Sequence, residues 1–144
     1  MKKLFVCIVC FSASAMFVTA GGAGKALKIE GAWTATGGSS DGKKLTADVV
    51  EKLNLVVTIK EGKYTVTVMG KQVEAGTYKL DAKKPAHIDL TVTEGDDKGK
   101  VQLGLMKLEG DVLTAAFAKA DKKDRPKDFE GGEGIDLTIM KRGK

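Results

Sequence analysis

The sequence predicts an all-β protein: an eight-stranded antiparallel up-and-down barrel with one short helix between its first and second strands. Three observations carry this. Segments of two-residue alternation, each bounded by turn residues, recur from Ile29 almost to the C-terminus. Gly31-Ala32-Trp33, which holds the chain's one tryptophan, heads the first of them. Only Thr46 to Leu53 has the spacing of a helix, with Val49, Val50 and Leu53 on one side and Asp48 and Glu51 spaced like a capping box.

Taken in order, Ile29 to Thr36 reads as strand one and Gly37 to Lys44 as a turn-rich loop. The helix follows, too short to be a core and expected as a lid or plug over one barrel end. Leu53, Leu55, Val57 and Ile59 share one parity, and Glu61-Gly62 turns the chain into Tyr64, Val66 and Val68, which alternate with threonines. Gly70-Lys71 leads to Gln72–Leu80, with Gly76, Tyr78 and Leu80 in phase. Ile88, Leu90 and Val92 form the next strand, and Val101, Leu103 and Leu105 begin another. Glu109-Gly110-Asp111 turns into Val112–Ala118, where Leu113, Ala115 and Phe117 share a face. After the polar stretch Lys119–Gly134, Ile135, Leu137 and Ile139 mark the last strand.

Short connections favour pairing between sequence neighbours, and closure removes the two sheet edges that an open meander leaves exposed. Closure sets the start of strand one against the end of strand eight, so Trp33 neighbours Lys141 and Arg142. A cation over the indole, worth roughly 0.5–2 kcal/mol, then latches that end. Parity nominates Lys141, in phase with Ile135, Leu137 and Ile139.

The first twenty residues read as a targeting signal: Lys2 and Lys3, an apolar run from Leu4 to Val18, then Val18-Thr19-Ala20 as a cleavage site. The apolar run falls short of the roughly 20 residues of a membrane span, with retention as an N-terminal anchor the rival reading. Cys7 and Cys10, the only cysteines, lie inside it, so the mature chain is expected to carry no thiol, disulfide or thiolate metal site. Residues 21–28 read as a flexible arm and 29–144 as the barrel domain, long enough for a real core. The segment removes two lysines and no acid, so 24 basic residues become 22 against 19 acidic ones, and the net charge falls from +5 to +3. Both signs are interspersed, which reads as a solubilising surface and argues against nucleic acid. A monomer is the default expectation.

Gly-x-Trp in the first strand with a basic residue ending the last resembles the lipocalin and fatty-acid-binding style of barrel. A longer series lies in order: Asp41-Gly42-Lys43, Gly62-Lys63-Tyr64-Thr65-Val66, Glu74 to Asp81, Lys84-Pro85 with Ile88-Asp89-Leu90, Leu108-Glu109-Gly110-Asp111 with Leu113-Thr114, and Arg125-Pro126 with Phe129. From Glu30 to Arg142 the chain is similar to the small secreted, lipocalin-like domain of unknown function abundant in planctomycete-type bacteria. That resemblance implies a fold and export but no reaction, and it nominates Arg142 as the partner of Trp33.

Motifs for chemistry are weak. Gly37-x4-Gly42-Lys43-Lys44 lacks the Ser or Thr and the long helix of a phosphate loop. One mature histidine, His87, lies on the face opposite Ile88 and Leu90, and only Ser39 and Ser40 supply mature serine hydroxyls, so no hydrolase triad or zinc site is expected. Glu94, Asp96 and Asp97 lack calcium-loop spacing. The mixed charges of Lys119–Asp128 read as a solvated loop, with docking to an anionic envelope surface the alternative.

The interior is the serious candidate. Its in-phase set comprises Trp33, Leu55, Val57, Tyr64, Val66, Val68, Tyr78, Leu80 and Ile88 in the first half. In the second half it comprises Leu90, Val92, Leu103, Leu105, Leu113, Phe117, Leu137 and Ile139. Eight-stranded barrels either fill with side chains or hold one small ligand. The expected function is therefore an exported, non-enzymatic module binding a small hydrophobic ligand without metal or cofactor. Its ligand-binding candidates are Trp33, Tyr64, Val66, Tyr78, Leu90, Leu103, Phe117 and Leu137, and its latch candidates are Trp33, Lys141 and Arg142. The alternative is a filled core that presents loops to a protein or envelope polymer.

Overall fold

A computed structural model describes residues 27–83 and 85–143. The targeting segment, its two cysteines and most of the arm lie outside the described residues. Among those described, nine strands and one helix follow in order: β1 (Gly31–Ser40), β2 (Lys43–Lys44), α1 (Ala47–Leu53), β3 (Val56–Lys60), β4 (Lys63–Val68), β5 (Lys71–Asp81), β6 (Ala86–Glu94), β7 (Val101–Glu109), β8 (Val112–Ala118) and β9 (Ile135–Arg142). From β3 onward every strand pairs antiparallel with the next, and β1 closes the barrel between β3 and β9. The expected eight strands are present; β2 is an addition, a two-residue ladder with Ser39 and Ser40 in what reads as a loop.

Turn chemistry sets the register. Asp41-Gly42, Glu61-Gly62 and Met69-Gly70 all take positive φ at both positions, the twist-matched turn of two-residue hairpins. The third of these sits one residue earlier than the expected Gly70-Lys71. β1 runs past the end of β3, so β3 and β2 share its edge, and α1 is the excursion between them. The helix packs on β1 through buried Val50, on the barrel wall and not across an end. Its capping box does not form: Thr46 is the N-cap and makes no side-chain cap bond, whereas Asn54 ends the helix in the left-handed conformation that Asn tolerates.

The core gathers at the end where the chain closes. Trp33, fully buried, packs with Ile29, Ile59, Ile88, Met106, Leu113 and Met140. Its Nε1 donates to the Ile29 carbonyl at 2.7 Å. The Arg142 guanidinium lies 4.3 Å from the indole centre, donating to the carbonyls of Glu30 at 2.8 Å and Lys28 at 2.9 Å. Lys141 does not form the latch: it is exposed and pairs with Thr34 and Val112.

The Lys141 expectation fails because β9 is turned over. Residues paired across a ladder share a face, and inward Leu113, Ala115 and Phe117 sit opposite Met140, Thr138 and Asp136. The inward parity of β9 is therefore Asp136, Thr138, Met140 and Arg142. Leu137 and Ile139 face outward, half-buried along the cleft beside Leu45 and the α1 segment. A bulge between Ala35 and Gly37 adjusts β1 to this register.

β7 is reversed in the same way. Gly104, Met106 and Leu108 point inward, whereas Leu103 and Leu105 face out with Asp89 and Ala116. Leu105 and Ala116 are nonetheless buried. The 119–134 connection supplies a second layer over this outer wall, so it is not simply a solvated loop. Arg125 donates to the carbonyls of Ile88 at 3.1 Å and Gly104 at 2.7 Å and pairs with Asp89 at 2.5 Å. Pro126 beside it is buried, and Lys107 stands 5.0 Å over the Phe129 ring.

Candidate ligand cavity

Away from the Trp33 end, the barrel interior is not filled. A cavity of about 320 Å³ remains, at the lower limit of the roughly 300–1,000 Å³ typical of ligand sites. Its apolar wall comes from Val57, Val66, Tyr78, Leu90, Met106 and Phe117, with Leu45 and Leu55, the residues flanking α1, closing the side where β3 stops short. Gly104 is buried opposite Phe117, and a Cβ there would run into the Phe117 ring.

Of the expected ligand-facing residues, Tyr64, Val66, Tyr78, Leu90 and Phe117 line the cavity. Trp33 does not: it is part of the packed closing end. Leu103 does not, because β7 presents its other face. Leu137 borders the cavity, but it pairs with Ser39 and Ala116 on the outer side of the wall.

Polar groups other than the two tyrosine hydroxyls line the cavity too. Glu74, Gln102, Asp136 and Thr138 also face in. Tyr64 donates to Glu74 Oε1 at 2.9 Å, and Ser40 donates to Asp136 Oδ1 at 2.6 Å. Glu74 was legible: it is two residues before Gly76 in the same phase as Tyr78 and Leu80. Asp136 and Thr138 were hidden by the reversal of β9, and Gln102 and Met106 by that of β7.

Burial raises the Glu74 carboxyl above its ordinary 4.5, with the Tyr64 hydrogen bond opposing and Asp97 adding to the rise. Burial, with donation to Glu74, also pushes the Tyr64 phenol up, so it stays protonated. A carboxyl raised in the native state keeps its proton longer than in the unfolded chain. Its contribution is full below pH 4.5 and is lost as pH climbs through the raised native value. Glu74→Gln should therefore flatten the fall in the urea midpoint on going from pH 4.5 upward. An unaltered slope would show that this carboxyl is not desolvated.

Gln102 and Asp136 also line a polar depression of about 400 Å³ outside the cavity, with Asp97, Lys100 and Lys119. The interior thus communicates with a charged mouth. Both mouth lysines are paired, Lys100 with Asp97 at 3.0 Å and Lys119 with Asp41. These pairs raise both lysines and lower Asp41. A larger cleft of about 660 Å³ runs outside the wall between the α1 segment and β9. Gly37, Gly38 and Gly42 form part of its wall, and Thr36, Lys44, Leu45, Glu130, Leu137 and Ile139 contribute side chains on the outer surface of the barrel. Ser39 lies in the wall between cleft and cavity, its buried hydroxyl without a partner among the described residues.

His87 is outside all of this, on the outer face of β6 opposite Leu105. Among the described residues, no three His, Cys, Asp or Glu side chains are grouped to hold a metal ion, and no helix is long and apolar enough to cross a membrane. Comparison of the chain with protein-family models, curated proteins and solved structures finds no match.

Proposed function

We propose that this protein is a non-enzymatic barrel module that binds a small, largely apolar ligand in its interior, outside the cytoplasm. The observation that carries the proposal is the unfilled cavity beside a well-packed barrel end. Packed protein interiors leave few voids larger than a water molecule, whereas this one leaves about 320 Å³. A barrel built to be solid would close it. The export half of the proposal rests on the pattern of residues 1–20, and the likeness to secreted lipocalin-like barrels on the sequence series from Glu30 to Arg142.

The reading favours binding over catalysis because no imidazole stands among the residues lining the cavity to activate a hydroxyl. The test is native mass spectrometry of the purified protein, with solvent extraction and titration by an apolar fluorescent probe. A bound small molecule, or saturable one-to-one probe binding, is expected. A ligand-free protein that takes up no probe would contradict it.

A further inference from the structure

We propose that the guest is a small hydrophobic amine, its ammonium group held among Glu74, Asp136 and Gln102 and its apolar body laid against Tyr78, Leu90 and Phe117. This rests on the ligand-binding reading above and adds the sign of the ligand's charge.

The cavity has an unbalanced polarity. Two carboxylates line it, on β5 and β9, and none of its lining residues is basic. Each takes a single hydroxyl hydrogen bond, Glu74 from Tyr64 and Asp136 from Ser40. An ionised carboxylate has about four acceptor positions, so each keeps acceptor capacity for a donor entering the cavity. The nearest cations are at the mouth, and each has an acid of its own: Lys100 holds Asp97 and Lys119 holds Asp41. The two mouth pairs cancel, and although Lys119 also feels the charge of Asp136, the cavity and mouth together stay net negative.

A negative, low-dielectric concavity concentrates cations and repels anions. Leaving a carboxylate desolvated and unpaired is costly, and an ammonium donor with three N–H groups is the chemistry that offsets it. Phenol and phenyl faces from Tyr64, Tyr78 and Phe117 line the same space and attract an organic cation further. At ~30 Å³ for each water-sized volume, 320 Å³ holds about ten such volumes, so the guest is small. A fatty-acid anion would bring its charge to Glu74 and Asp136 with no cation in the lining to receive it.

The test compares three guests of one chain length, octylamine, octanol and octanoate, by isothermal titration calorimetry. Octylamine should bind about tenfold or more tightly than octanol, and octanoate most weakly. Glu74→Gln preserves shape and a hydrogen-bond acceptor for Tyr64, and should lower the affinity ratio of octylamine to octanol towards one. Asp136→Asn is the second variant should the first fold poorly. Octanol binding without amine preference, tighter octanoate binding, or an amine preference that survives both substitutions would overturn this inference alone. Binding of none of the three would overturn the ligand-binding reading with it.

Discussion

Replacing Trp33 with alanine should lower the stability of the barrel by about 3–5 kcal/mol, read as a fall in the urea midpoint. The residue is fully buried, and its loss would open a void among Ile29, Leu113 and Met140 at the point where the sheet closes on itself. It would also leave the Ile29 carbonyl without the indole donor and Arg142 without its aromatic face. Arg142→Lys separates these effects. It keeps the charge but not the planar fork that reaches the carbonyls of Lys28 and Glu30, and because Arg142 is exposed its cost should be only about 1 kcal/mol. A Trp33→Ala midpoint close to wild type would mean that the closing end is not held as described.

Gly104→Val should be the most damaging change at the cavity, costing about 1–3 kcal/mol by overpacking and abolishing binding of an apolar guest. A Cβ at this position meets the Phe117 ring and, at 2.9 Å, the Ala116 carbonyl oxygen on the paired strand. The backbone cannot retreat easily, because Gly104 also presents its own carbonyl to Arg125 on the outer wall. The ring is then forced into the space a guest would occupy. Apolar-probe titration of the variant checks this; undiminished binding in a folded Gly104→Val protein would place the guest elsewhere.

These two positions also mark what the sequence could and could not reveal. The eight strands and the closure of the first onto the last followed from turn residues and alternation, and Trp33 fell at the closing end. Parity failed on β7 and β9 for one physical reason: the barrel wall is covered on both sides there. Under the 119–134 connection and the α1 segment, outward positions such as Leu105, Leu137 and Ile139 are sheltered, so an apolar residue no longer signals the interior. Conversely, the interior beside the cavity is lined in part by polar groups, with Asp136, Thr138 and Gln102 facing in. A half-buried strand sorts its residues by polarity only when one side is core and the other is water. Where both assumptions fail together, a clean alternation such as Ile135 to Met140 points the wrong way. The Arg125 anchor was missed because its partners are two backbone carbonyls and Asp89, which no local spacing encodes.

The central claim is that a small guest enters the barrel between Tyr64, Leu90 and Phe117. Methyl-resolved NMR during titration with octylamine tests it most directly. The account predicts saturable shifts at the Val66, Leu90 and Met106 methyls, with the exposed methyls of Met69 and Val73 unmoved. Shifts confined to surface methyls, or to the outer cleft beside Leu137 and Ile139, would contradict it.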